Sequence, residues 1–586
     1  DLALQYTKDE GLNILNFAGG SGQAYRSDVP AANGLVPIPA GGPQVALAPQ
    51  RPGLLPTSSA AQSIRERCPS TFTAKRFTCT GLKQSGTPFA GLITGEKSNY
   101  NLGNKVENTM VTSNLGWETS LGQINLISGY VDLTQKFAID FFNGTITTAP
   151  NGATYAVSPV GGFVIANDGS HKQVSQELKL TGELGASARY VAGVYYFDEN
   201  NVTDYADLFT YQDKLLAYSP ILLVLEDRTL YNKAEAKAVY TQWDFAPFEK
   251  ATLTLGGRYT DETKRIDFIA NASPRKAAPS DPSRVNSANM VAKGIPLELN
   301  TKLFTPRVAF KYDVSDDANV FASATRGFKS GGWNARGSTP GANTAFEPEK
   351  VWSYEAGLKS EWLDRSLRFN LTAFLLDVED LQTPSAFVAP NGSISFITKN
   401  FAGLKNTGFE AELIYAPTEN LNLFLFAGSQ NAEYRDINPV ILAQQTSCRA
   451  FLAGISSGKA TDCSSGIVNP VGEIAEPVRT PDTLAIGGSY IFRLGESLTL
   501  TPNVLWSNTG DNNVGTNGTP VSLVKAYDNL DAGVTLANES GGWRIQASCR
   551  NCTDELQIVS TLSELPYVQD PRTWQVTFKY DFGARR

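Results

Sequence analysis

Residues 573–582 read Thr-Trp-Gln-Val-Thr-Phe-Lys-Tyr-Asp-Phe. Trp574, Val576, Phe578, Tyr580 and Phe582 share one face; Gln575, Thr577, Lys579 and Asp581 share the other. That period of two marks a strand with one apolar and one wet face. Aromatic residues stand towards both ends of the apolar face, as where a strand crosses both interfaces of a bilayer. Taken alone, the segment fits the last strand of a soluble sandwich equally well. The alternation recurs upstream. Leu253, Leu255 and Tyr259 oppose Thr252, Thr254, Arg258 and Thr260, and Leu367, Phe369, Leu371, Ala373 and Leu375 oppose Arg368, Asn370 and Thr372. Leu498, Leu500, Val504 and Trp506 oppose Thr499, Thr501 and Asn503.

Such segments predict about 18 strands, at 1–7, 106–115, 121–130, 174–183, 189–198, 233–243, 251–260, 303–312, 318–326, 352–360, 367–376, 408–416, 421–430, 483–491, 498–506, 529–536, 543–548 and 573–582. Their connections alternate long and short throughout. A soluble sandwich has no reason to put every long connection at one end. An outer-membrane barrel does, with short periplasmic turns and long extracellular loops. In lipid every backbone group must be paired, which a closed barrel achieves. The expected fold is therefore all-β, a transmembrane antiparallel β-barrel whose last strand runs towards the periplasm.

Composition narrows the function. The chain has 586 residues without a run of 18 apolar ones, so it predicts no transmembrane helix. A net charge of -8 offers no basic footprint for nucleic acid. The single histidine, His171, falls at the edge of a predicted loop and argues against a His-built metal or haem centre. Asp261 and Glu262 read as surface charge at a strand end, and nothing reads as catalytic. The six cysteines fall in close pairs, Cys68/Cys79, Cys448/Cys463 and Cys549/Cys552, all in long connections or at their edges. Even, close pairing suits disulfides in an oxidising compartment. Cys549-Arg-Asn-Cys552 could also be half a zinc site or a redox motif, but a second CxxC, a nearby His and a βαβ pattern are all missing.

Several motifs carry a resemblance. They are Gln176-Glu177-Leu178-Lys179-Leu180, Gly256-Gly257-Arg258-Tyr259-Thr260, Thr305-Pro306-Arg307, and the run from Phe321 through Arg326-Gly327-Phe328-Lys329-Ser330-Gly331-Gly332-Trp333-Asn334. Phe346-Glu347-Pro348-Glu349, Ser353-Tyr354-Glu355-Ala356-Gly357-Leu358-Lys359, Gly408-Phe409-Glu410-Ala411-Glu412 and Arg550-Asn551-Cys552-Thr553-Asp554-Glu555 follow. In this order the chain resembles the barrel of TonB-dependent outer-membrane receptors of Gram-negative bacteria, from about Val106 to Phe582. Tyr580 and Phe582 resemble the family's C-terminal aromatic signal for barrel assembly, although Gly583-Ala584-Arg585-Arg586 extends past it.

The resemblance implies a barrel of the 22-stranded type with a plug in its lumen and an upstream energy-coupling segment. On that expectation residues 1–586 are the C-terminal part of a longer or processed receptor, with the plug and about four first strands absent from the sequence. It further implies active import of a scarce solute, a ferric siderophore being favoured, with outer-membrane lipid, the TonB complex and a small-molecule ligand as partners. No cofactor is implied, iron entering only within a transported ligand. A passive porin and a structural or adhesive surface platform are the alternatives. Ligand-binding candidates lie where 327–337 leaves its strand: Arg326, Lys329, Trp333 and Arg336, cationic and aromatic groups suited to an anionic ligand. The same residues would equally furnish a Gly-rich strand end with interface aromatics.

Overall fold

The computed structural model describes residues 1–11, 44–46, 72–73, 76–78, 101–140, 146–148, 154–156, 163–212, 220–271, 278–337, 339–388, 394–459, 462–463, 467–469, 471–515, 522–538, 542–562 and 565–581. Its principal sheet has 24 strands. Five are fragments of two or three residues, and Phe492–Leu494 continues another strand past a break at Ile491, which leaves eighteen long strands. They are β1 (Leu2–Gly11), β2 (Asn101–Thr119), β3 (Gly122–Asp140), β4 (Phe163–Leu184), β5 (Ala188–Gln212), β6 (Pro220–Phe248), β7 (Ala251–Ala270), β8 (Glu298–Ser315) and β9 (Ala318–Lys329). Next come β10 (Glu349–Trp362), β11 (Leu367–Val388), β12 (Ile394–Thr418), β13 (Leu421–Arg435), β14 (Thr483–Tyr490), β15 (Leu498–Thr509), β16 (Tyr527–Asn538), β17 (Trp543–Arg550) and β18 (Thr573–Tyr580). Each pairs antiparallel with the next in sequence. Every expected strand coincides with one of these. Cys68, Cys79 and Phe582 lie outside the described residues.

Register turns the alternation into rows. Leu126, Leu178, Val194, Val239, Tyr259 and Phe304 are successive cross-strand partners from β3 to β8. Directly opposed antiparallel residues point to the same side, so these six form one apolar row, and its largest members are exposed. Nearer the tight turns, Tyr190, Trp243 and Phe245 stack on the same side, with ring centroids 4.8 and 6.0 Å apart. A membrane-crossing strand needs only about 9–11 residues, whereas β6 has 29 and both β5 and β12 have 25. At about 3.3 Å per residue, these strands reach far past any bilayer. The sequence reading placed 131–173, 199–232 and 377–407 in loops; much of each is strand instead, and His171 stands within β4. Beyond a lipid band both faces meet water, so the period of two disappears while backbone pairing continues.

The eight tight turns span two to four residues each. Gly122 opens β3 at φ +115°, where a Cβ would sit 2.2 Å from the Thr181 carbonyl oxygen, so only glycine fits. Leu363, Asp364 and Arg365 all have positive φ, and Ser366 closes their turn by donating its amide and its Oγ to the Leu363 carbonyl at 3.1 and 2.7 Å.

At the opposite edge the long connections build two small cores. Leu230, Ile266 and Phe268 pack with Val285, Met290 and Ile295, which flank and include the short helix α1 (Ser287–Val291). Phe401 and Ala402 pack with Ile441, Cys448, Cys463, Ile467 and Val468 beside the helix α2 (Pro439–Leu452). The Asn438 side chain caps α2 by accepting from the Val440 amide at 2.9 Å, with Pro439 following it. Among the described residues no helix is long and apolar enough to cross a membrane.

Candidate functional site

The polar side of the sheet lines an open concavity of about 1000 Å³ towards the tight-turn end. It is placed there by the alternation itself: residues one position away from the apolar rows line it. Arg307, Lys311 and Lys359 supply positive charge; Glu355 and Glu410 supply negative charge. Arg307 donates to Thr325 Oγ1 at 3.1 Å, and the Lys359 ammonium lies 5.5 Å from the Phe321 ring centroid. Thr254 donates to Asp244 at 2.7 Å and Asn406 to Gln430 at 2.9 Å.

Four aromatic rings on this side lie against a glycine directly across the strand pair: Tyr240 on Gly193, Phe321 on Gly357, Phe374 on Gly408 and Phe424 on Gly487. A Cβ at any of the four glycines would come within 2.9 Å of the ring. Each ring is thereby held flat on the wall instead of projecting across the concavity, and each pairing fixes the local register.

Further along the same side, Tyr240 donates to Glu177 at 2.5 Å, and the Arg258 guanidinium lies 5.2 Å from the Tyr195 ring and 5.8 Å from that of Tyr240. Sequence reasoning quoted Glu177 and Arg258 only as landmarks. The alternation put Arg258 on the wet face, but the two tyrosines that join it to Glu177 come from β5 and β6, and spacing along the chain carries no sign of that. This surface is wet, charged and lined with aromatics, a chemistry suited to polar contacts. Among the described residues no group of three or more His, Cys, Asp or Glu side chains is placed to hold a metal ion.

The four residues proposed from sequence occupy four settings. Arg326 opposes Trp352, its guanidinium 5.9 Å from that ring, on the side of the sheet shared with Tyr354. Lys329 ends β9, exposed, opposite Glu349, and its carbonyl accepts from Gln382 Nε2 at 3.4 Å. Trp333 donates Nε1–H to the Pro296 carbonyl at 2.6 Å and packs on the α1 core, so much of its surface is used in holding two connections together. Arg336 is exposed in the segment that follows. That segment is anchored by Arg228, which is buried and donates to Asn343 at 3.1 Å and to the Gly337 carbonyl at 2.8 Å. Asn334 donates to the Thr344 and Thr398 carbonyls at 3.0 and 2.9 Å.

Asp261 and Glu262 are paired with Lys302 and Lys264 at 3.2 and 3.6 Å; they stand in the middle of β7 rather than at a strand end, and Glu262 is largely covered. Cys448–Cys463 and Cys549–Cys552 are disulfides, the second spanning the end of β17. Tyr580 ends β18, opposite Trp543.

A long antiparallel sheet with one apolar face, one charged face and all its long connections at one edge defines a membrane-spanning β protein. A model of the family described as TonB dependent receptor-like, beta-barrel, matches residues 68–552, and the chain belongs to that family. Its members are transport receptors rather than enzymes, and the location is the Gram-negative outer membrane. Among curated proteins the chain is 37% identical over 79 residues to the metal-pseudopaline receptor CntO of Pseudomonas aeruginosa, covering 14% of this chain and 10% of that one. It is 32% identical over 112 residues to the ferripyoverdine receptor of the same species, covering 19% and 13%. Among solved structures it superposes on the ferric yersiniabactin uptake receptor FyuA of Yersinia pestis with a TM-score of 0.55 at 14% identity, covering 82% of this chain and 60% of that one. The matched regions thus span about a tenth of the curated relatives and three fifths of that structure.

Proposed function

We propose that this chain is the barrel of an energised importer that carries a ferric siderophore or related metallophore across the outer membrane. The observation that carries the reading is the wet, charged concavity on one side of a sheet whose other side carries an exposed apolar band. The relatives, receptors for metal-pseudopaline, ferripyoverdine and ferric yersiniabactin, support the ligand class. The reading includes closure of the sheet. Among the described residues β1 pairs only with β2 and β18 only with β17, and unpaired strand edges are costly in lipid. About four further strands would join them into the 22-stranded type, with a plug against the charged concavity and a coupling segment reaching the TonB complex. Tyr580, with Phe582, would serve as the assembly signal.

Transport against a gradient needs free energy from outside, because binding alone shifts no gradient. At the extracellular rim we propose that Lys329 and Arg336 reach the anionic ligand, while Arg326 and Trp333 shape the rim. The test is uptake of radiolabelled ferric siderophores by cells carrying the full-length receptor, with and without TonB. Uptake that requires TonB and falls in the Lys329→Ala/Arg336→Ala double variant is expected. Uptake indifferent to TonB would replace this reading with a passive porin, and no uptake of any solute would leave a surface platform.

A further inference from the structure

We propose that Arg228 is a positioning residue: it fixes the connection from β9 to β10 as an arch over the charged side of the wall, and so sets where Arg336 meets an anionic ligand. The proposal rests on the import reading and adds a residue that acts in it without touching the ligand.

The arch begins where a ladder breaks. β8 and β9 pair from Ser315–Ala318 as far as Arg307–Thr325 and stop there. Yet β8 runs on to Glu298 against β7, and β9 runs on to Lys329 against β10. Pro306 is the neighbour of Arg307 on that side, and proline has no amide to continue a ladder. Above that level the connection ties the two sides together. Towards β7 and β8, Lys264 Nζ donates to the Gly331 carbonyl at 3.1 Å and Trp333 Nε1–H to that of Pro296 at 2.6 Å. Towards β11 and β12, Gln382 Nε2 donates to the Ser330 and Glu347 carbonyls, both at 3.0 Å. The Thr398 amide donates to Asn334 Oδ1 at 2.6 Å.

These contacts hold the feet of the arch; Arg228 holds its span. An even number of positions separates Arg228 from Tyr240 in β6, so both face the charged side. The Arg228 guanidinium donates to Asn343 Oδ1 at 3.1 Å and to the Gly337 carbonyl at 2.8 Å. Asn343 in turn accepts from the Gly337 amide at 3.0 Å and donates to the Gly337 and Thr339 carbonyls at 3.0 and 2.7 Å. Arg228 and Asn343 are both fully buried. A Cβ on Gly337 would fall 2.6 Å from that of Ala342, so the chain on either side of the span is in direct contact. Arg336, the residue before Gly337, is exposed. Two donors from one planar group fix an orientation that a single ammonium would leave free to turn. Removing them takes a buried donor from the Gly337 carbonyl and from Asn343, a cost concentrated in the span. The packing of Trp333 on the α1 core stays in place at the foot. Arg228 thus governs the direction of Arg336 and not the fold of the wall.

The test uses the full-length receptor in lipid nanodiscs, with the unsubstituted protein as the labelling blank. A nitroxide attached at Arg336→Cys should be ordered in the parent background, mobile with Arg228→Ala and intermediate with Arg228→Lys. Binding is read with an anionic ferric tris-catecholate and a neutral ferric tris-hydroxamate. Arg228→Ala should weaken the anionic chelate about tenfold, as loss of one charge-assisted contact predicts, and the neutral one far less. Arg336→Ala should match it, and the Arg228→Ala/Arg336→Ala variant should lose no more than either alone. The unfolding midpoint should stay at the parent value; where Arg228→Ala does not fold, Arg228→Lys carries the same comparisons. An unmoved label, equal loss of the two chelates or additive losses would overturn the proposal. If neither chelate binds, the import reading fails for these ligand classes, while a label unmoved by Arg228→Ala still overturns the arch and a mobilised one supports it.

Discussion

At the tight-turn edge the chain reverses in two to four residues by local means: positive φ at Gly122, Gly185, Gly495 and Gly542 and at Leu363 to Arg365, and hydroxyls of the turns themselves such as those of Thr119, Ser366 and Thr418. At the other edge the connections are long and side chains hold them. Cys448–Cys463 ties α2 down, Arg228 is buried among loop carbonyls and amides, and Asn334 links two connections. One edge is a set of local solutions repeated along the sheet. The other is a set of tertiary solutions, each different. Each loop core rests on strand extensions beyond the apolar rows, so a change in one connection is separated from the tight turns by the whole length of the strands.

The wall should therefore be sensitive to which face a change falls on, and this is the largest effect expected. Val239→Arg puts a cation into the middle of the apolar row, at a cost of up to about 2–4 kcal/mol, the value for the bilayer midplane. Ser323→Arg, on the charged concavity, should leave folding unchanged. Urea titration of tryptophan fluorescence in lipid vesicles reads both. Equal destabilisation by the two variants would mean that the faces are not distinguished as described.

The loop edge should fail locally. Replacing both cysteines, Cys448→Ser with Cys463→Ser, reopens a closure of 15 residues, worth about 3 kcal/mol in the chain-entropy account. Confined to α2 and its connection, that predicts protease cleavage within 436–482 faster by about a hundredfold, with the wall's unfolding midpoint unmoved. A lowered midpoint would show that the loop core and the wall share one cooperative unit.

The same contrast explains what could be read from the amino acids. Strand centres were legible because lipid on one side and water on the other impose a period of two, as from Leu253 to Tyr259. Strand ends were not, because residues such as His171 and Asn200 stand where both faces meet polar surroundings. Cys448 and Cys463 were legible as a pair from proximity and parity. The burial of Arg228 was not: its partner Asn343 is 115 positions away, and a lone arginine in a polar stretch reads as solvated charge. Arg326 shows the limit of residue type as a guide. Its charge suggested a ligand contact, but its register with Trp352 turns it to the side of Tyr354.

The smallest effect expected belongs to an exposed clasp between β15 and β16. Lys525 donates to Asp511 at 2.6 Å and the Ala526 amide donates to it at 2.8 Å. The Lys525 hydrogen bond first, and that amide second, hold the Asp511 carboxyl below the usual aspartate range; the Asp511 carboxylate in turn raises Lys525 above the usual lysine range. A lowered acid stabilises above its ordinary pKa and loses that contribution as pH falls through the lowered value. A raised base stabilises below its ordinary pKa and loses it as pH climbs through the raised value. The clasp should therefore stay closed across the whole neutral range and open only at the two extremes. In carboxyl carbon NMR, with Asp511→Asn assigning the signal, Lys525→Met should move the Asp511 midpoint upward but not fully to the ordinary value, since the Ala526 amide still donates. An unmoved midpoint would mean that the backbone amide alone sets it, and the clasp would then be one more reversal governed by backbone geometry despite its place at the loop edge.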